Sequence, residues 1–156
     1  MPKGVAIGHQ RLSGTSTSIT FNNISGEYRD LELVISLDRS HANANGVYLQ
    51  VNSNSSAIYR YTALNHDGVK EYSTNRTYWN VTSLPISYPA HGTIQMLDYS
   101  QTDRFKPMFM DDGQNQYLNT IGAGQWDNTD AITSLTIYPS GYNFIAGDSF
   151  AIYGVL

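Results

Sequence analysis

The stretch Leu31-Glu32-Leu33-Val34-Ile35-Ser36-Leu37 carries a large apolar side chain at every second position. A period of two sends successive side chains to opposite faces of a strand. Leu31, Leu33, Ile35 and Leu37 therefore belong to a core, with Glu32, Val34 and Ser36 on the other face. The same alternation appears on either side, in Ile19 and Phe21 and in Val47, Leu49 and Val51. Further strands are expected over 4–9, 57–63, 76–82, 92–99, 105–110, 116–121, 131–138 and 148–155, ten or eleven in all. The spacers hold turn dipeptides: Ser13-Gly14, Ser25-Gly26, Asn45-Gly46, Asp67-Gly68, Asp112-Gly113 and Ser140-Gly141. Short strands at near-regular spacing, bounded this way, predict an all-β fold, a jelly-roll-type β-sandwich. No unbroken helical stripe is present, so almost no helix is expected.

Composition agrees. The 156 residues suit one domain over 1–156, with 16 Ser, 13 Thr, 13 Asn and 12 Tyr but only three lysines. Charged residues make up 14% and the net charge is −4, which argues against a nucleic-acid binder. No cysteine is present, so disulfides and thiol chemistry are excluded. The start, Met1-Pro-Lys-Gly-Val-Ala-Ile-Gly8, lacks the apolar run of a signal peptide, and no stretch is apolar enough to predict a membrane span. The N-x-S/T triplets at Asn23, Asn54, Asn75 and Asn80 are then the chance product of an Asn/Ser/Thr-rich chain.

Catalytic patterns are absent. G-x-S-x-G does not occur, and Ser149 falls inside an expected strand instead of at a strand-to-helix elbow. Asp38, Asp98, Asp103, Asp111, Asp112, Asp127 and Asp130 sit mostly beside Gly, Asn or Thr, where a carboxylate caps a turn. Asp111-Asp112-Gly113-Gln114-Asn115 looks superficially like a calcium loop, but the twelve-position spacing and the closing Glu are missing, so it too reads as a turn. His9, His41, His66 and His91 are scattered; only a three-fold axis would gather three copies of one of them as metal ligands. Gly122-Ala123-Gly124 is turn-like, with no helix to follow and no dinucleotide fingerprint. No enzyme activity, cofactor or metal site is expected.

The aromatic residues remain. Tyr48, Tyr59, Tyr61, Tyr78, Trp79 and Trp126 are the candidate interface residues, since Tyr and Trp present a flat apolar body with a polar tip. About half of such rings are expected in the core, with the rest serving protein contacts or sugar stacking.

The last third reads Ala131-Ile-Thr-Ser-Leu-Thr-Ile-Tyr-Pro-Ser-Gly-Tyr-Asn-Phe144, then Ile-Ala-Gly147-Asp-Ser-Phe150-Ala-Ile-Tyr153-Gly154-Val155. It resembles the ending of many small β-sandwich modules in structural proteins of tailed bacteriophages, close to F-x-x-G-[ST]-x-F-x-[LI]-Y-G-[IV]. Phe144, Gly147, Phe150, Ile152, Tyr153, Gly154 and Val155 match, while Asp148 departs from the usual small hydroxyl residue. Ile19–Leu33, with Arg39-Ser40 after it, and Val47–Asn52 are similar to the same modules; roughly 64–120 has no counterpart. The matched residues have structural duties: Phe144 and Phe150 for the core, Gly147 for a tight turn and Gly154 for a close approach.

The resemblance implies a virion protein located on the capsid surface. Lacking a heptad shaft, the chain is expected to be a capsid decoration or cement protein bound to the major capsid protein. The other class is a tail-fibre head that recognises a host surface glycan. Few lysines guard the strand edges, and the expected assembly is a homotrimer held by Tyr48, Tyr59, Tyr61 and Tyr78.

Overall fold

Leu31, Leu33, Ile35 and Leu37 are all buried and the residues between them are partly exposed, as the alternation requires. The computed structural model describes residues 4–38, 46–65, 68, 70–82, 89–114 and 119–156. These contain twelve strands and no helix: β1 (Gly4–Arg11), β2 (Ile19–Phe21), β3 (Asp30–Leu37), β4 (Val47–Val51), β5 (Tyr59–Asn65), β6 (Lys70–Arg76), β7 (Trp79–Thr82), β8 (Ala90–Met96), β9 (Lys106–Gln114), β10 (Asn119–Trp126), β11 (Leu135–Pro139) and β12 (Ser149–Val155). Eight form a large sheet in the order β1-β12-β3-β8-β9-β10-β5-β6, and four form a small sheet, β2-β11-β4-β7. Every pairing is antiparallel. The inner faces share one apolar core, so the fold is the expected jelly-roll-type sandwich.

Two turn readings are corrected. Asp112-Gly113 and the calcium-like run from Asp111 to Gln114 lie in β9, because Lys106, Met108, Met110 and Asp112 continue inward with period two, and Asn115 lies outside the described residues. Gly122-Ala123-Gly124 lies in β10, in register with Met110, Phe109 and Met108 of β9. The two glycines face inward beneath methionine side chains; a Cβ on Gly124 would meet the Met108 Cε at 2.7 Å. Sequence also missed β6, Lys70-Glu-Tyr-Ser-Thr-Asn-Arg76, an edge strand that needs no core side chains. The expected turns at Asn45 and Asp67, the histidines His41 and His66, and Arg39-Ser40 lie outside the described residues.

The C-terminal residues take the structural roles assigned to them. Phe144 and Phe150 are fully buried, edge to face at 4.7 Å. Gly147 has φ +102°, a left-handed conformation that a side chain would strain. The Asp148 carboxylate accepts the N–H of Asp38 at 3.1 Å and of Ile145 at 2.9 Å, closing the turn from inside. A Cβ at Gly154 would clash with Cγ of the Tyr28 ring, which packs against that glycine. Gly154→Ala should therefore cost about 2 kcal/mol by overpacking, lowering the melting midpoint by roughly 4–8 °C. Shrinking the ring in the same chain, Tyr28→Ala, should recover most of that loss, and thermal melts of the four-member cycle would measure the coupling.

Candidate functional site

The six nominated aromatics separate into two groups. Tyr59, Tyr61, Trp79 and Trp126 are buried in the core, which corrects the expectation that they face a partner. In β5, Tyr59, Tyr61 and Ala63 alternate with the exposed Arg60, Thr62 and Leu64, so placing Arg60 in water places the tyrosines inside. Burial pushes the Tyr59 hydroxyl up to about 12, opposed by its hydrogen bond with Val51.

Tyr48 and Tyr78 are half-buried on the outer face of the small sheet. Val47, Leu49 and Val51 of β4 point inward, which turns Tyr48 out, and Tyr138 lies opposite it in register on β11. Tyr48 and Tyr78 stack at 4.0 Å, and Tyr138 stands edge-on to them at 5.6 and 6.4 Å. Arg76 lies 5.9 Å above the Tyr78 ring. Burial, then proximity to Tyr48 and a hydrogen bond with it, raise the Tyr78 pKa against the opposing pull of Arg76. Burial pushes Tyr138 up to about 12, so the Tyr78 and Tyr138 hydroxyls stay neutral donors near neutral pH. Around them lie hydrogen-bonding groups: Gln50 donates to the Thr77 carbonyl at 3.1 Å, and Thr20 and Thr136 share a bond of 3.1 Å. The result is an uncharged aromatic and hydroxyl patch with one cation at its rim.

Sequence reasoning missed a second surface. On the outer face of the large sheet Leu64 is 41% exposed, Tyr72 74%, Phe109 49% and Ile121 60%. Leu64, Phe109 and Ile121, with Thr62, Ala123 and Lys70, line a shallow apolar groove across β9, β10, β5 and β6, and Tyr72 lies beside it in the next row. A signal was available in Met108-Phe109-Met110, because three successive apolar residues in a strand cannot all face one core.

The polar candidates do not converge. His9 and His91 are exposed on separate strands, and no group of three or more His, Cys, Asp or Glu among the described residues could hold a metal. Ser149 pairs with Ser36 and Arg11 in ordinary strand register. Asp127 forms an ion pair with Arg60, and Asp98 and Asp103 bind Arg104.

No protein family profile matches the sequence, and no curated protein matches it. Among solved structures, galectin LEC-6 of Caenorhabditis elegans aligns over 92% of this chain and 94% of its own, with 4% identity and a TM-score of 0.43. A mutant of alginate lyase Aly36B in complex with alginate trisaccharide aligns over 96% and 88%, with 10% identity and a TM-score of 0.35.

One buried acid stands apart from both surfaces. Asp112 accepts the Thr120 N–H at 2.9 Å through Oδ1, while Oδ2 is buried without a hydrogen-bond partner among the described residues. Burial raises its pKa to about 6, partly offset by Thr120 and reinforced by Asp111 and Glu71. The native fold thus holds the proton more tightly than the unfolded chain. Asp112 stabilises the fold relative to its ionised form below about pH 4, and that contribution is lost as pH rises through 6. The penalty at neutral pH is about 3 kcal/mol at most. Asp112→Asn should raise the melting midpoint at pH 7.5 by several degrees, and the gain should vanish at pH 4. Calorimetry of both proteins at the two pH values checks this.

Proposed function

We propose that the chain is a structural protein of a bacteriophage virion, a capsid decoration protein that lies on the shell and ties capsomers together. Its partner is the major capsid protein, and the contact is the Tyr48–Tyr78–Tyr138 patch. The observation that carries the reading is that patch: stacked, half-buried rings with their hydroxyls on the outer face of a sheet. Aromatic surfaces with hydrogen-bonding rims are typical of protein contacts. The low charge also supports it, since many copies on one shell avoid summed repulsion. The virion itself is inferred from the C-terminal sequence pattern, whose residues here serve the fold and leave the outer faces for binding. The reading is non-catalytic.

A second reading, a tail-fibre head for a host surface glycan, is favoured by one feature of the same patch: exposed ring area beside Gln50 and Arg76, which suits sugar stacking and hydroxyl recognition.

Antibody labelling of virions should mark heads and not tails, and quantified copies should number in the hundreds. The folded double variant Tyr48→Ala/Tyr78→Ala should bind undecorated capsids at least about tenfold more weakly, as loss of an aromatic anchor gives. Tail labelling at a few to tens of copies, with signal on a glycan array, would replace decoration by the fibre reading. Reducing-sugar release from host polysaccharide, abolished by one Asp→Asn change, would overturn both.

A further inference from the structure

We infer that the apolar outer face of the large sheet is a self-contact, pairing with the same face of a second copy across a two-fold axis that runs along the strands between β10 and β5. Strand register lays out two rows on this face. One runs Phe109–Ala123–Thr62–Tyr72 and the other Asp111–Ile121–Leu64–Lys70, each crossing β9, β10, β5 and β6 in that order. All eight side chains are exposed.

When two copies face each other, a two-fold axis in the contact plane and parallel to the strands keeps each row at its height and reverses the strand order. Ile121 then meets the partner's Leu64, and Phe109 meets the partner's Tyr72. Asp111 meets the partner's Lys70, and the symmetry makes that ion pair twice. The third row agrees: Pro107–Gln125–Arg60 sets Arg60 opposite the partner's Gln125, with the Arg60 charge already met by Asp127 in its own chain. An acid at one flank and a base at the other, with apolar residues between, is a pattern that complements itself under this operation. A glycan would not need charges so placed, and a different protein would not need the two flanks to match one another.

The area bounds the strength. Four strands at about 4.8 Å spacing and about seven residues of length cover roughly 450 Å² per copy. Close to 900 Å² in total lies at the low end of specific interfaces, so the pair should be reversible, with a dissociation constant in the micromolar range. The contact does not rest on the virion reading, because it forms in the isolated protein.

Sedimentation equilibrium of the full chain tests it. Mass should rise with concentration from the 17.3 kDa chain towards a dimer. Ile121→Asp, at an exposed position, should hold the chain monomeric without changing its thermal midpoint. Asp111→Lys should weaken pairing at least about tenfold, and so should Lys70→Asp; the charge-swapped double variant should return to within a few-fold of the original. A monomer up to hundreds of micromolar, a trimer mass, a dimer indifferent to Ile121→Asp, or single variants not rescued by the swap would each overturn the proposal. Monomers that lose shell binding on Ile121→Asp would assign the face to the shell instead; dimers absent from virions would leave the pairing and end the decoration reading.

Discussion

Tyr59 leaves the large sheet on β5, and its hydroxyl reaches the small sheet, accepting the Val51 N–H at 3.0 Å and donating to the Asn54 carbonyl at 2.8 Å. Trp79 makes the opposite reach: from the small sheet its Nε1–H donates to the Gln125 carbonyl of the large one, at 3.1 Å. The two rings meet edge to face at 5.6 Å, with Trp126 beyond at 6.5 Å. Buried Tyr and Trp need partners for their polar tips, and here Tyr59 and Trp79 each find one on the facing sheet, whereas the Trp126 Nε1–H has none among the described residues. The hydroxyl and indole therefore set the distance between sheets as well as filling it. Together with the shared apolar core, this crossing fixes how the two outer faces are placed relative to one another.

The same pair of side chains shows how far the sequence could be read. Alternation located the core of β2, β3 and β4 because Leu, Ile, Val and Phe at period two have one physical solution. Residue type alone nominated Tyr59, Tyr61, Trp79 and Trp126 for an interface, and type does not decide which face a ring occupies. Parity does, and the charged Arg60 between the tyrosines carried it. Tyr48 was legible as outward because Val47, Leu49 and Val51 already claim the inside, whereas its stacking with Tyr78 and Tyr138 joins three segments that only the sheet brings together. The reading of Gly122-Ala123-Gly124 as a turn followed local preference. Met108 and Met110 arrive from another strand to fill the space the glycines leave, and local preference has no view of them.

Buried charge follows the same logic. Lys106 is fully buried, and its Nζ donates to the carbonyls of Gln101, Arg104 and Thr129 at 2.5, 2.7 and 3.0 Å. Burial lowers its pKa, chiefly against the pull of Asp103 and Asp130. Three bonds match its three donors, so the cation ties two loops to the start of β9. Asp148 closes its turn by accepting two N–H groups, from Asp38 and from Ile145, a span a carboxylate can bridge. Asp112 is the exception, with one oxygen satisfied and one not. Strand pattern placed it inside, and nothing described around it completes its hydrogen bonds.

The two outer faces differ in kind, and the sandwich holds them on opposite sides. The small sheet presents tyrosine rings and hydroxyls; the large sheet presents a flat apolar band flanked by one acid and one base. Two copies joined by their large sheets would carry their tyrosine patches on opposite sides of the pair. A unit with two such patches engages two sites, and the second engagement is governed by effective concentration rather than by free diffusion. Modest contacts then suffice. A micromolar pairing and a small aromatic anchor, each weak alone, would together hold a bridge between neighbouring sites; salt would screen the Asp111–Lys70 pairs at the flanks of the pairing and leave its apolar centre and the tyrosine contact in place.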